Sequence, residues 1–169
     1  MNRIVLILAL ILLSCGQLIA QEKPEENINN VLDKWHLAAA RADFDSYFEL
    51  MTDDAVFIGT DATELWGKPA FKEFSKPYFD RGKAWNFTSL ERNIYLGADG
   101  NFAWFDELLD TQMKICRGSG VLKKEDGQWK IAHYVLSIAV PNEVVDELVQ
   151  LKQEKDSLLT EQLRKSRKE

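Results

Sequence analysis

The sequence predicts an α+β domain, with a layer of helices covering one face of a curved antiparallel sheet and one long helix at the end. Three observations lead there. Apolar residues recur at spacings of three and four up to about Asp80, they follow a strand-like pattern from Trp85 to Val140, and glycine-containing turns break that second stretch at Gly97-Ala98-Asp99-Gly100 and Glu125-Asp126-Gly127. The composition suits a packed chain: 46% of the 169 residues are hydrophobic, with five Trp, nine Phe and four Tyr to build a core. A net charge of −6 would repel a phosphate backbone, so nucleic acid is a poor partner. Only two cysteines are present, one inside an apolar leader, which excludes a disulfide scaffold and a Cys-based zinc site.

Residues 1–20 open with Arg3 and continue as an apolar run from Ile4 to Leu13, shorter than the roughly 20 residues that span a bilayer as a helix. That pattern predicts a secretory signal, with a retained membrane anchor as the alternative. Two cleavage points stay open. Leu12-Leu13-Ser14-Cys15 resembles a bacterial lipobox, in which Cys15 is acylated and becomes the mature N-terminus; Ala20 before Gln21 is the rival. The lipobox is favoured, because a cysteine where the apolar run ends has little other reason to be there. Either cut places the protein outside the cytoplasm, as a membrane-anchored lipoprotein, a periplasmic protein or a secreted one, and the only membrane contact expected is through that lipid.

Residues 21–27 form a polar tether, and the domain is expected over 28–140. Ile28, Val31, Leu32, Trp35 and Ala39 mark an amphipathic first helix ending near Arg41. His36 neighbours Trp35, so the two are not expected to face the core together. Asp43 caps a short second helix with Phe44, Tyr47, Phe48 and Met51 on its apolar face, and Asp53-Asp54 ends it before a strand over Ala55–Ile58. A loop from Gly59 to Gly67 carries Asp61, Glu64 and Trp66. Pro69 then sits in the first turn of a third helix that runs to about Asp80. Strands follow over Trp85–Leu96, Phe102–Leu109, Met113–Lys124 and Trp129–Val140. Residues 141–169 form a helical extension that is about 40 Å long at 1.5 Å per residue. Its apolar stripe, which includes Val145, Leu148, Leu151 and Leu159, could pack on its own domain, pair with another chain or lie on lipid.

The segments Trp35–Phe44, Val56–Asp61, Trp104–Glu107 and Trp129–Ser137, in this order and spacing, resemble the SnoaL-like branch of the nuclear-transport-factor-2-like superfamily over residues 28–140. The resemblance implies a cone-shaped fold whose three helices and bent sheet enclose a pocket. It does not name an activity, since members include isomerases, dehydratases and proteins that only bind or dimerise.

The sharpest local inference concerns the last hairpin. With Glu125-Asp126-Gly127 as a three-residue turn, Ser119 lies opposite His133 and Arg117 opposite Val135, so that Arg117, Ser119, His133 and Ser137 share a face with Val121, Ile131 and Trp129. Such a face suits a pocket wall. Gly118, Gly120, Tyr134 and Leu136 take the opposite face, the glycines making room for Tyr134. A two-residue Asp126-Gly127 turn would change the pairing and set Gly120 opposite His133. His133 is the candidate general base, and Asp106, a carboxylate interrupting the apolar run Phe102–Leu109, is its candidate partner; a structural strand histidine and an Asp106–Arg117 ion pair are the alternatives. Trp104 shares the face of Asp106, and Glu107 is expected outward. Trp66 and Asp61 sit where a cone's rim would be, and Arg117 or Tyr134 could stabilise negative charge. Cys116 reads as a small buried hydrophobe. No metal site is expected, since His36 and His133 belong to no i, i+4 ligand pair, and no cofactor, since no phosphate loop, nucleophile elbow or dinucleotide fingerprint is present.

Three function classes therefore stay open. The preferred one is an exported module binding a small apolar molecule in a cone lined by Trp104, Arg117, Ser119, Tyr134, Trp66 and Asp61. The second is a cofactor-free isomerase, dehydratase or hydrolase using His133 and Asp106. The third is a structural or partner-binding homodimer.

Overall fold

The computed structural model describes residues 23–167; the leader, with Cys15, lies outside the described residues. Helix α1 (Pro24–Ala40) begins with proline in its first turn and two glutamates, Glu25 and Glu26, near its positive end. Ala42 at φ 53° turns the chain into α2 (Phe44–Glu49), whose first turn is capped by Asp43 accepting from Ser46 N at 3.1 Å. Then come β1 (Met51–Ile58), β2 (Leu65–Gly67), α3 (Lys68–Asp80), β3 (Thr88–Leu96), β4 (Phe102–Thr111), β5 (Lys114–Glu125) and β6 (Gln128–Ile138). A single 3₁₀ turn (Asn142–Val144) leads into α4 (Val145–Ser166).

The strands make one sheet in the order β2-β1-β6-β5-β4-β3, antiparallel except where β1 runs parallel to β6. Helices α1 to α3 cover its inner face, and the core lies between the layers: Ile28, Leu32, Trp35, Phe48, Phe57, Phe71, Phe105 and Tyr134 are all buried. Helix α1 already begins at Pro24, inside the stretch expected as a tether, because proline suits a helix's first turn, and β2 forms at the end of the expected 59–67 loop, where Trp66 pairs with Phe57. Two strand starts differ as well. Strand β1 starts at Met51 rather than Ala55, because Met51 already pairs with Ile131 and the Leu50 carbonyl accepts from Ile131 N at 2.9 Å. Strand β3 starts at Thr88 rather than Trp85, because the Trp85 ring is drawn inward against Tyr47 (5.5 Å) and Phe79 (5.4 Å).

The last hairpin is a correction with consequences. Asp126 (φ 49°) and Gly127 (φ 80°) both adopt left-handed backbone, which makes a two-residue turn and pairs Glu125 with Gln128. A bulge at Ala132 then shifts the register, so that Val121 faces His133, Gly120 faces Tyr134 and Ser119 faces Val135. Trp129 and Ile131 consequently turn into the core, with Tyr134 and Leu136 beyond the bulge, while His133, Val135 and Ser137 turn the other way.

Candidate functional site

Register assigns the two faces of the sheet. One inner row reads Ile94–Phe105–Gly120–Tyr134–Phe57–Trp66 across all six strands, and the next reads Arg92–Glu107–Gly118–Leu136. The glycines are obligatory here: a Cβ on Gly118 would collide with the Tyr134 hydroxyl and the Glu107 carboxylate, and one on Gly120 with the His133 carbonyl and the Phe105 ring.

On the outer face, a row runs Tyr95–Trp104–Val121–His133–Val56 and its neighbour Asn93–Asp106–Ser119–Val135–Ile58. Trp104, Asp106, Arg117, Ser119 and His133 thus do share a face, but it is the one turned away from the helices and the cone. Trp104 is half exposed there. His133 and Asp106 do not meet, being two strands apart, roughly 10 Å at usual strand spacing, and two residues out of line. Asp106 instead accepts from Asn93 Nδ2 (3.2 Å) and the Tyr95 hydroxyl (3.4 Å), so neither the His133 pair nor an Arg117 ion pair organises it.

The ionic chemistry inside the cone belongs to Glu107 and His36, both expected elsewhere, with Arg92, which no sequence motif singles out. Glu107 is fully buried, not outward. Its Oε1 accepts from His36 Nε2 at 2.9 Å and from the Tyr134 hydroxyl at 3.1 Å, while Oε2 accepts from Arg92 Nε at 2.9 Å. Arg92 also reaches Asn29 Oδ1 (3.0 Å) and Asp33 Oδ1 (2.8 Å), tying β3 and β4 to α1. Burial would push the Glu107 carboxyl up, but the His36 imidazole and the Arg92 guanidinium outweigh it and hold the group below its ordinary value. Burial first, and then the Glu107 charge, drives the Tyr134 hydroxyl well above the usual tyrosine range. Both Trp35 and His36 are buried, because the buried side of α1 spans Ile28 to Ala39 over an arc of about 160° at 100° per residue. The cluster is closed over: the His36 ring lies 6.0 Å from Phe87, and Tyr134 stacks on Phe57 at 5.6 Å.

Open space remains at the mouth of the cone, a cavity of about 170 Å³. Six aromatic side chains line it, Phe57, Trp66, Phe71, Phe74, Trp85 and Phe87, with Leu136 and Met113 completing the apolar wall. Trp66 stacks on Phe74 at 4.4 Å, and Phe57 on Phe71 at 4.1 Å, which makes the wall a stacked aromatic array. Polar atoms come from Thr60, Glu64 and Gln112 on two rim turns. Glu64 is folded back over Gly59, and its Oε2 accepts from Asp61 N at 3.2 Å. The Asp61 carboxylate is itself engaged by Thr63 N (2.9 Å) and Thr63 Oγ1 (2.6 Å), hydrogen bonds that hold it below its ordinary pKa; it shapes the rim and does not line the mouth. Thr111 fixes the opposite turn, accepting from Met113 N and donating to the Lys114 carbonyl, both at 2.9 Å. Of the residues expected to bind ligand, Trp66 lines this mouth, Tyr134 lies buried beneath it, and Trp104, Arg117 and Ser119 are outside the cone.

A larger but open groove, about 790 Å³, lies between the 58–65 loop, the end of β6 and α4, bordered by Leu148, Lys152, Lys155 and Leu159. It is outside the cone, and the helix forming one wall exposes Leu151, Leu158 and Leu163 to solvent. Among the described residues, no group of three or more His, Cys, Asp or Glu side chains could hold a metal ion, and no helix is long and apolar enough to cross a membrane.

Comparison with known proteins agrees with this architecture. An NTF2-like protein of unknown function from Pseudomonas putida KT2440 superposes with a TM-score of 0.59 at 18% identity, covering 71% of this chain and 89% of that one. A candidate dehydratase of the NTF2-like family from Streptomyces avermitilis gives a TM-score of 0.59 at 12% identity over 69% and 96% of the two chains. The association domain of C. elegans CaMKII gives 0.56 at 21% identity over 68% and 95%. At these identities the likeness speaks for the fold alone. No curated protein matches the sequence. The SnoaL-like domain family matches residues 28–141, and the chain belongs to that family.

Proposed function

We propose that this protein is an exported module that binds a small, largely apolar molecule in the aromatic mouth of its cone. The observation that carries the reading is the concentration of six aromatic side chains around one concave space with three polar residues on its rim, the usual make-up of a small-molecule site. A cavity of about 170 Å³ admits a compact ligand or one end of a longer one. The test is a screen of compact apolar compounds by thermal shift, followed by titration of Trp66→Ala. A mouth-bound ligand should lose about tenfold or more in affinity when that wall is removed, whereas unchanged affinity would place binding elsewhere.

Export is part of the same proposal, supported by Arg3, the apolar run and Cys15. Cys15→Ala should release the protein from membranes or block its processing. An intact mass for an unmodified chain beginning at Gln21 would remove the lipid anchor and keep the export. The enzymatic alternative has less support, since His133 and Asp106 do not meet and the His36–Glu107 pair is sealed from the mouth. A homodimer through the outer sheet face is supported by the exposed Tyr95, Phe102 and Trp104 surrounding Val121 and Val135.

A further inference from the structure

The charge at the mouth narrows the ligand class, on the premise that the mouth is a binding site. Among its described lining residues the only ionisable side chain is Glu64; no lysine, arginine or histidine borders the space. The Glu64 carboxylate cannot swing freely, because it is folded against Gly59 and holds Asp61 N. Gly59 matters to this, since any Cβ there would occupy the position of Glu64 Oε2. The remainder of the wall is mostly aromatic carbon, joined by the Met113 thioether, the Leu136 side chain, the Thr60 hydroxyl and the amide of Gln112. Aromatic rings carry negative potential on their faces and thioethers are polarisable, so such a wall tolerates a diffuse positive charge better than a hydrophobic wall of aliphatic residues would. An anion would meet a carboxylate with no compensating cation.

We propose that the mouth selects a compact organic cation, an alkylated ammonium headgroup whose methyl groups fill the aromatic space while Glu64 supplies the counter-charge. A bare ammonium or a metal ion is a poorer fit, because each would have to shed tightly held water against apolar carbon. A quaternary ammonium has no N–H bonds to lose and presents a methylated surface to the wall.

The experiment uses three probes of matched shape on the purified protein: choline, its neutral isostere 3,3-dimethyl-1-butanol, and the anion 3,3-dimethylbutanoate, each titrated by tryptophan fluorescence and confirmed by calorimetry. Choline should bind at least tenfold tighter than the neutral isostere, and the anion weakest of all. Glu64→Gln should cost choline about fivefold or more and leave the neutral isostere unchanged; Glu64 is on the rim, so this variant tests charge with little risk to folding. Equal affinity for choline and the isostere, or an unaltered choline affinity in Glu64→Gln, would overturn the cation proposal while leaving the mouth as an apolar binding site. If none of the three probes binds, the cation proposal falls; binding of other compact apolar compounds, lost in Trp66→Ala, would then still uphold the mouth as a site.

Discussion

His36 Nε2 donates to Glu107 Oε1 across 2.9 Å inside the cone, joining helix α1 to strand β4 through two buried side chains. The bond is one arm of a buried carboxylate with three donors, and Arg92 Nε closes the opposite oxygen. Buried charge without partners is costly, so the cluster matters most when one member is removed. Glu107→Gln should destabilise the fold by about 3–5 kcal/mol, since the buried Arg92 then keeps only the exposed Asp33 carboxylate as counter-charge. Chemical denaturation of the variant against the parent measures it.

The same cluster sets a pH dependence with a definite sign. The Glu107 carboxyl is held below its ordinary value of about 4.5, so its contribution is complete above that value and is lost as pH falls through the lower folded-state value. Denaturation series between about pH 6 and pH 3 should therefore show an acid-side loss of stability that is smaller in Glu107→Gln. Identical acid limbs in the two proteins would assign the loss to other carboxylates.

Tyr47 makes the opposite prediction. It is fully buried against Trp35 (4.8 Å, stacked), and its hydroxyl has no hydrogen-bond partner among the described residues, the Trp85 indole approaching it outside hydrogen-bonding geometry. Tyr47→Phe removes an unsatisfied polar atom while keeping the ring, so stability in chemical denaturation should hold or rise by up to about 1–3 kcal/mol. A substantial fall would mean the hydroxyl has a partner.

The inner glycines are where the packing is tightest. Gly118→Ala places a methyl group on the Tyr134 hydroxyl and beside Glu107, and neither side chain has room to retreat in the buried row. A loss of about 1–3 kcal/mol is expected, with the aromatic near-UV signal altered as Tyr134 shifts. Alanine at Gly127 tests a different cost, the strain of φ 80° in the hairpin turn, since nothing lies within contact of its Cβ.

What was legible in the sequence followed from strong local signals. The second and third helices announced themselves through Asp43 and Pro69 at their starts and the first through its apolar spacing from Ile28, although it begins at Pro24 inside the stretch expected as a tether; the strands announced themselves through their turns. The faces of the sheet were harder. In Phe102–Leu109 both alternating sets are largely apolar, so alternation could not say whether Asp106 or Glu107 pointed inward; the decisive clue was that Gly118 and Gly120 crowd the face opposite Arg117, and Glu107 and Phe105 pair with those glycines. The bulge at Ala132 has no local sequence marker, and it alone moves Ile131 and Tyr134 onto one face three residues apart. Arg92 escaped notice because its partners, Asn29, Asp33 and Glu107, come from distant parts of the chain. The rim of the cone was foreseen through Trp66, but the other walls of the mouth come from α3, the segment before β3 and the β4–β5 turn, which only the fold assembles.

The outer face separates association from binding. Trp104→Glu puts a charge at the centre of the exposed apolar row and should shift a dimer toward monomer in sedimentation velocity. His133→Ala and Asp106→Asn should leave affinity at the mouth unchanged, since both positions lie across the sheet from it. A loss of binding in either variant would revive the outer face as the site.

The five tryptophans separate the mouth from the deep interior and from the outer face, which makes their indole N–H signals the most direct measurement. Trp66 and Trp85 line the mouth, Trp35 lies in the deep interior, Trp104 stands on the outer face, and Trp129 packs near the last hairpin. Titrating a bound compound into ¹⁵N-labelled protein should shift the Trp66 and Trp85 indole signals saturably and together, leaving those of Trp104 and Trp129 in place. Saturable movement of Trp104 with Trp66 and Trp85 unmoved would contradict the account, because the ligand would then sit on the outer face of the sheet rather than in the cone.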